Sequence, residues 1–229
     1  MTSSGRRLPS RLLALTPGVL RPGDGEARAL LLDKVEQAVE GGLTAVLVRE
    51  PALYDAEVLE LLSQVRARTG DRLWLGVHDR VHLALGGDVD GVQLGWSSLP
   101  PARAREVLDG AGGVQVSIGF SAHVGDEEGQ RSGADFFLLA PLFPTKSHPD
   151  PERPDHRPPL GARGFAGELS EVEFPTWALG GVDPSNAHLA LEAGAAGIAV
   201  CGAILGRPSP AEARASAAAM LRAIEGASG

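Results

Sequence analysis

Residues Thr176 to Leu205 constrain the fold of this chain more than any other stretch. They read T-W-A-L-G-G-V-D-P-S-N-A-H-L-A-L-E-A-G-A-A-G-I-A-V-C-G-A-I-L: an apolar run ending in Gly180-Gly181, a helix start at Asp183-Pro184, and a second apolar run ending in Cys201-Gly202. Two short buried strands joined by one helix make a β-α-β unit with parallel strands. Glycine after a strand lets the backbone come close to a ligand, and N–H groups near a helix N-terminus favour an anion. The pattern therefore predicts a phosphate pocket at the C-terminal ends of the last two strands, although tight turns alone would also use these glycines.

The rest of the chain repeats the unit. Apolar runs at Leu12–Thr16, Thr44–Val48, Arg72–Val77, Gly91–Leu94, Val114–Gly119 and Phe136–Leu142 read as six further strands. Helical spacing of apolar residues covers Ala29–Glu40 and Glu57–Arg68, a short helix fits Val81–Leu85, and another starts at Pro100. A short helix near Phe165–Leu169 precedes strand seven, and an amphipathic helix from Pro210 to Ile224 ends the series. Strand-helix units recurring about every 25 to 30 residues predict an α/β fold, a single (β/α)8 TIM barrel. The barrel domain is expected over 12–229, after a disordered N-terminal tail over 1–11. The segment 148–163 is rich in proline and charge and is expected as a loop after strand six.

Composition narrows the function. A formal net charge of −8 and the lack of a basic stripe argue against nucleic acid as a partner. No apolar run reaches the roughly 18 residues of a membrane span, so no membrane partner is expected and a cytoplasmic location is. Cys201 is the one cysteine of the 229 residues, which excludes an internal disulfide; within an apolar run it reads as a small hydrophobe rather than a nucleophile.

In a barrel of this kind the residues just after each strand face one another across the mouth. They are Arg49, His78, Asp79, Ser98, Ser121, His123, Thr145, Lys146, Ser147, Gly180, Gly181 and Gly202. An imidazole such as His123 can give and take a proton near neutral pH, as an isomerase requires, and Ser121 could orient it or a substrate carboxylate. Thr145, Lys146 and Ser147 supply hydroxyls and a cation for a phosphate beside the glycines, with Arg49 as a further anion contact. Asp79 is the one carboxylate placed to hold Mg²⁺. His148 and His156, irregularly spaced among prolines, read as solvated loop rather than metal ligands.

These segments resemble the thiamine phosphate synthase/TenI superfamily. The likeness spans about residues 12 to 226 and rests on V-R-E at Val48–Glu50, H-D-R-V-H-L-A-L at His78–Leu85, D-G-V-Q-L-G at Asp90–Gly95, S-A-H at Ser121–His123, P-L-F-P-T at Pro141–Thr145, L-G-G-V at Leu179–Val182 and G-I-A-V-C-G-A-I at Gly197–Ile204. It implies a (β/α)8 barrel of thiamin biosynthesis that takes a small phosphorylated thiazole and forms a possible homodimer. Synthases of the superfamily join a thiazole phosphate to a pyrimidine carried on pyrophosphate, using Mg²⁺, a Q-x-R-x-K pattern on strand two, an aspartate pair and a strand-six lysine. Here the first pattern reads Leu47-Val48-Arg49-Glu50-Pro51, the aspartate pair corresponds to Asp79 and Ser98, and the lysine position to His148 with Lys146 nearby. The thiazole-phosphate side, Ser121, Thr145, Gly180, Gly181 and Gly202, matches. The resemblance thus implies a TenI-like thiazole tautomerase with His123 as proton shuttle and no cofactor. The alternatives are a thiamine phosphate synthase with Mg²⁺ at Asp79, or a non-catalytic thiazole- or thiamin-phosphate-binding barrel.

Overall fold

Side chains of successive strand residues point to opposite faces, and in this chain both faces are apolar, so each strand must be covered on both sides. The computed structural model describes residues 5–86, 88–95, 97–122, 131–145, 158–170 and 172–227. Its eight strands are β1 Leu12–Leu15, β2 Ala45–Val48, β3 Trp74–His78, β4 Gly91–Leu94, β5 Ser117–Ala122, β6 Phe136–Leu139, β7 Thr176–Leu179 and β8 Gly197–Val200. All neighbours are parallel in sequence order, and β8 closes onto β1 with Leu12 beside Ile198 and Leu13 beside Ala199. The described α-helices are α1 Gly25–Glu40, α2 Asp55–Thr69, α3 Pro101–Gly110, α4 Gly161–Leu169, α5 Ala187–Glu192 and α6 Pro210–Gly226, with short 3₁₀ helices at Gly70–Arg72 and Val81–Leu85. This is the (β/α)8 TIM barrel that the repeat predicts.

Alternation divides the core in two. Val46, Val48, Val77 and Ile198 face outward against helix residues such as Leu31, Val35, Leu61 and Met220. Leu13, Leu15, Ala45, Leu47, Trp74, Phe136, Leu138, Trp177 and Ala199 fill the interior. Within it, Phe136 meets Trp74 and Trp177 edge to face, with ring centroids 6.0 and 5.4 Å apart. Such large rings fit because their neighbours carry no side chain. A Cβ at Gly76 or Gly91 would collide with the Trp74 ring, one at Gly119 with Phe136 and Gln93, and one at Gly197 with Trp177.

The bottom of the barrel is tied by two matching carboxylates. Asp90, just before β4, accepts from the Leu75 N–H at 2.8 Å and from Arg66 at 2.7 Å, and Arg7 lies 3.3 Å away. Asp135, just before β6, accepts from the Ile118 N–H at 2.8 Å and from Arg105 at 2.5 Å, with Arg6 at 3.5 Å. A buried carboxylate is tolerated when its lone pairs are filled in this way.

Four sequence expectations shift. Residues 5–11, expected as disordered tail, instead cross the bottom: the indole N–H groups of Trp74 and Trp177 donate to the carbonyls of Arg7 and Ser10 at 3.1 and 2.8 Å, and Leu8 packs into the interior cluster. The partners of these residues lie far along the chain, so local sequence does not reveal them. β5 begins at Ser117 rather than Val114, since the Val114 carbonyl is taken locally by the Val116 N–H at 3.1 Å. The helix after β7 begins at Ala187 rather than Asp183. The intervening residues form a polar turn in which Ser185 N–H donates to Asp183 and Asp183 N–H to Asn186, a competition that short polar side chains often win. Of the expected 148–163 loop, residues 148–157 lie outside the described ones, and Gly161 to Arg163 form the first turn of α4.

Gly119→Ala should destabilise the protein by about 1–3 kcal/mol through overpacking against Phe136. Gly202→Ala, where an added Cβ meets nothing within 4 Å, should change stability by less than about 0.5 kcal/mol. Urea denaturation of both variants checks the pair.

Candidate active site

Strand parity carries the inward face up to the mouth. On β2 it runs Ala45, Leu47 and then Arg49; on β3 Trp74, Gly76 and His78; on β4 Gly91 and Gln93; on β5 Ser117, Gly119 and Ser121. Aromatic and aliphatic residues therefore fill the lower barrel, and polar side chains take the layer above, the end at which such barrels carry their active sites.

The best-defined part of the mouth lies at the ends of β2 and β3, beside α2. A cleft of about 180 Å³ is lined by Arg49, Glu50, Pro51, His78, Asp79 and Arg80, with Val48, Val58 and Val77 beneath. Asp79 is the one described non-glycine residue with a left-handed backbone, at φ 63°. Aspartate tolerates this region better than most residues, and its cost of roughly 1–3 kcal/mol must be offset by local contacts. The contacts are visible. Asp79 Oδ1 accepts from the Gly95 N–H at 2.8 Å and from the Ser98 hydroxyl, and Oδ2 lies 3.1 Å from His78 Nδ1. Burial alone would raise the Asp79 pKa. The hydrogen bonds from His78, Ser98 and Gly95 outweigh it and hold the carboxyl far below the usual carboxylate range.

Arg49 follows β2, its N–H donating to the buried Thr16 Oγ1 at 2.8 Å. Arg80 braces the cleft from outside, donating to the Leu53 carbonyl at 2.6 Å and approaching Asp55 at 3.3 Å.

Over β5 to β8 the mouth is lined by loops and glycines. Gly180 and Gly181 have φ 94° and 67°. A Cβ on Gly180 would stand 2.9 Å from Pro141 and 3.2 Å from Thr145 Cγ2, and one on Gly181 would meet the carbonyl oxygens of Pro144 and Phe143 at 2.5 and 2.7 Å. The chain's own packing thus requires both glycines, and they sit directly against the 141–145 loop. Gly202 differs: its φ is not left-handed and no atom crowds it. Ser121 lies within β5 and accepts from Gln93 Nε2 at 3.3 Å. Cys201, one residue past β8, lies 3.8 Å from the Thr16 carbonyl; burial pushes its thiol pKa up against the lowering by Arg49, as suits a small hydrophobe.

Of the residues that the sequence singles out, Arg49, His78 and Asp79 share one cleft, Ser98 joins them through Asp79, and Thr145 adjoins Gly180. His123, Lys146, Ser147, His148 and His156 lie outside the described residues. Thr16 and Gln93 were missed. Gln93 carried a legible signal, since it is the single polar residue in a four-residue strand. Thr16 did not, because its contact to Arg49 spans 33 positions.

Asp79 and Ser98 offer hard oxygen donors of the kind magnesium takes. Among the described residues no group of three His, Cys, Asp or Glu side chains converges as a metal site. Magnesium usually binds through one or two carboxylates together with substrate phosphates, so a single carboxylate is compatible with an ion that arrives with its substrate.

Comparison with known proteins adds three findings. The family described as thiamine monophosphate synthase matches residues 19–204. A putative thiamine-phosphate synthase of Geobacter sulfurreducens is 39% identical over 187 residues, covering 80% of this chain and 83% of that protein, and a thiamine-phosphate synthase of Syntrophomonas wolfei is 34% identical over 179 residues, covering 77% and 81%. Among solved structures, a thiamine phosphate pyrophosphorylase of Pyrococcus furiosus superposes with a TM-score of 0.76 at 28% identity, covering 96% of this chain and 97% of that one. No helix among the described residues is long and apolar enough to cross a membrane.

A group whose pKa is depressed on folding contributes stability that is present above its unfolded pKa and lost as pH falls through the folded value. Asp79→Asn keeps the shape and the tolerance for left-handed backbone while removing the charge. Its Tm should therefore fall below that of the parent at pH 7, and the gap should narrow as pH drops below about 4, near the unfolded aspartate pKa. Calorimetric scans at pH 7 and pH 3 check this.

Proposed function

The chain belongs to the thiamine monophosphate synthase family, and we propose that it is a two-substrate transferase joining a phosphorylated thiazole to a pyrimidine carried on pyrophosphate. The thiazole nitrogen supplies the electron pair of the new C–N bond. The C–O bond to pyrophosphate breaks, and pyrophosphate leaves with the electron pair of that C–O bond. The observation that carries this reading is the division of the mouth: a charged cleft built on Arg49 and Asp79 at the ends of β2 and β3, apart from the glycine and hydroxyl wall of Thr145, Gly180 and Gly181. One substrate with a single phosphate needs one such wall. Two anionic substrates need both.

In this scheme Arg49 grips the pyrophosphate through a planar fork suited to phosphate oxygens. Asp79 would hold Mg²⁺, which would neutralise the charge on the departing group. His78 and Ser98 keep Asp79 ionised and oriented. Thr145, Lys146, Ser147 and the glycines receive the thiazole phosphate, and Gly202 leaves room for it at the end of β8. The names of the relatives support the transferase over an isomerase.

One observation favours a second reading, the metal-free thiazole tautomerase with His123 as proton shuttle. The second aspartate position is Ser98, whose hydroxyl is committed to Asp79, and Leu47, at the glutamine position, is buried in the barrel interior. The two readings separate in one pair of assays of the purified protein. The transferase predicts Mg²⁺-dependent thiamin phosphate formation that falls about 10²-fold or more in Arg49→Ala. The tautomerase predicts interconversion of the thiazole carboxylate phosphate without metal, lost in His123→Ala.

A further inference from the structure

One carboxylate of the cleft lining is engaged by backbone. Glu50 is 4% exposed, and its two oxygens are spent on backbone: Oε1 accepts from the Gly18 N–H at 3.0 Å and Oε2 from the Leu20 N–H at 2.9 Å. The two bonds pin the segment that leaves β1, Thr16 to Leu20, across the end of β2. Leu20, itself 2% exposed, anchors the far end in the core. The near end is tied to Arg49 directly, since Thr16 Oγ1 accepts the Arg49 N–H at 2.8 Å.

Between these anchors the strap lies against the Arg49 side chain. Gly18 is left-handed at φ 75°, and a Cβ there would stand 3.2 Å from Arg49 Nη1 and 3.3 Å from the Arg49 carbonyl oxygen. The guanidinium thus has a wall of backbone on one side, and that wall is fixed by its sequence neighbour. An arginine has much rotamer freedom to lose before its fork can grip an anion, and a rigid wall removes part of that loss in advance. A glutamine of the same length could not do the work of Glu50, because one of the two backbone N–H groups would then face an amide NH₂.

We propose that Glu50 is a positioning residue: by clamping the Thr16–Leu20 strap, it holds the Arg49 guanidinium in the orientation that takes a pyrophosphate oxygen. The inference rests on the transferase reading of the mouth. It assigns Glu50 no contact with substrate.

The test is a double-mutant cycle read by calorimetric titration of inorganic pyrophosphate with Mg²⁺ into the full chain, together with steady-state kinetics and Tm. Glu50→Gln should raise the pyrophosphate Kd and the KM for the pyrimidine pyrophosphate about tenfold, with kcat within about twofold. In an Arg49→Ala background the same change should cost less than about twofold, because the group it positions is gone. Gly18→Ala, which sets a methyl against Arg49 and strains the left-handed residue whose N–H Glu50 holds, disturbs the same strap from its other side, should reproduce the KM effect, and stands in if Glu50→Gln does not fold. Unchanged pyrophosphate affinity in the folded variants, or an equal loss with and without Arg49, overturns the positioning role alone. A parent protein that binds no pyrophosphate overturns the transferase reading and this inference with it.

Discussion

Trp74, Phe136 and Trp177 meet inside the lower barrel, and the strand glycines and the chain ahead of β1 accommodate them. Four strand positions, Gly76, Gly91, Gly119 and Gly197, have no side chain where one would strike these rings. The contacts are edge to face, a geometry worth about 0.5–1.5 kcal/mol per pair beyond the area it buries. Two of the rings also carry an N–H that must find an acceptor once buried. They find it in the backbone of Arg7 and Ser10, which is why the chain ahead of β1 closes the bottom. Arg6 and Arg7 then reach Asp135 and Asp90, carboxylates that already anchor β5 and β3.

Because the lower interior is full, chemistry has only the upper layer available. The same period-two register that aims Trp74 inward aims His78 inward two steps later, and the register of β2 does the same for Arg49. At Asp79 the chain turns left-handed, and three donors converge on one carboxylate that stays ionised through the working pH range. On the other side of the mouth the constraint is steric: two left-handed glycines admit the 141–145 loop to within contact of β7. The asymmetry between a charged half and a close-packed, glycine-lined half is what supports the proposal of two anionic substrates.

The architecture was legible because its signal repeats. A period of one strand and one helix survives errors of a few residues at any boundary, and the helix Val81–Leu85 and strand Gly91–Leu94 match their expected limits. Arg49, His78, Asp79 and Ser98 could be nominated because position after a strand is itself readable. Contacts between distant residues were not readable. Nothing in the local sequence links Thr16 or Gly18 to Arg49, or distinguishes Glu50 as a buried clamp from an ordinary charged residue in a V-R-E motif. The interior glycines were passed over for a related reason, since their purpose is set by rings on neighbouring strands. Gly180 and Gly181 were nominated for a ligand, yet backbone conformation and the 141–145 loop already require them.

The proposed transferase requires a mouth that accepts two anionic ligands at once. The direct measurement is calorimetric titration of inorganic pyrophosphate, with Mg²⁺ present, into protein already saturated with a phosphorylated thiazole. With two anion sites, pyrophosphate should still bind, with one site and an affinity within a few-fold of that for the free protein. Competition, in which saturating thiazole phosphate abolishes pyrophosphate binding, would mean a single anion site and would contradict the transferase.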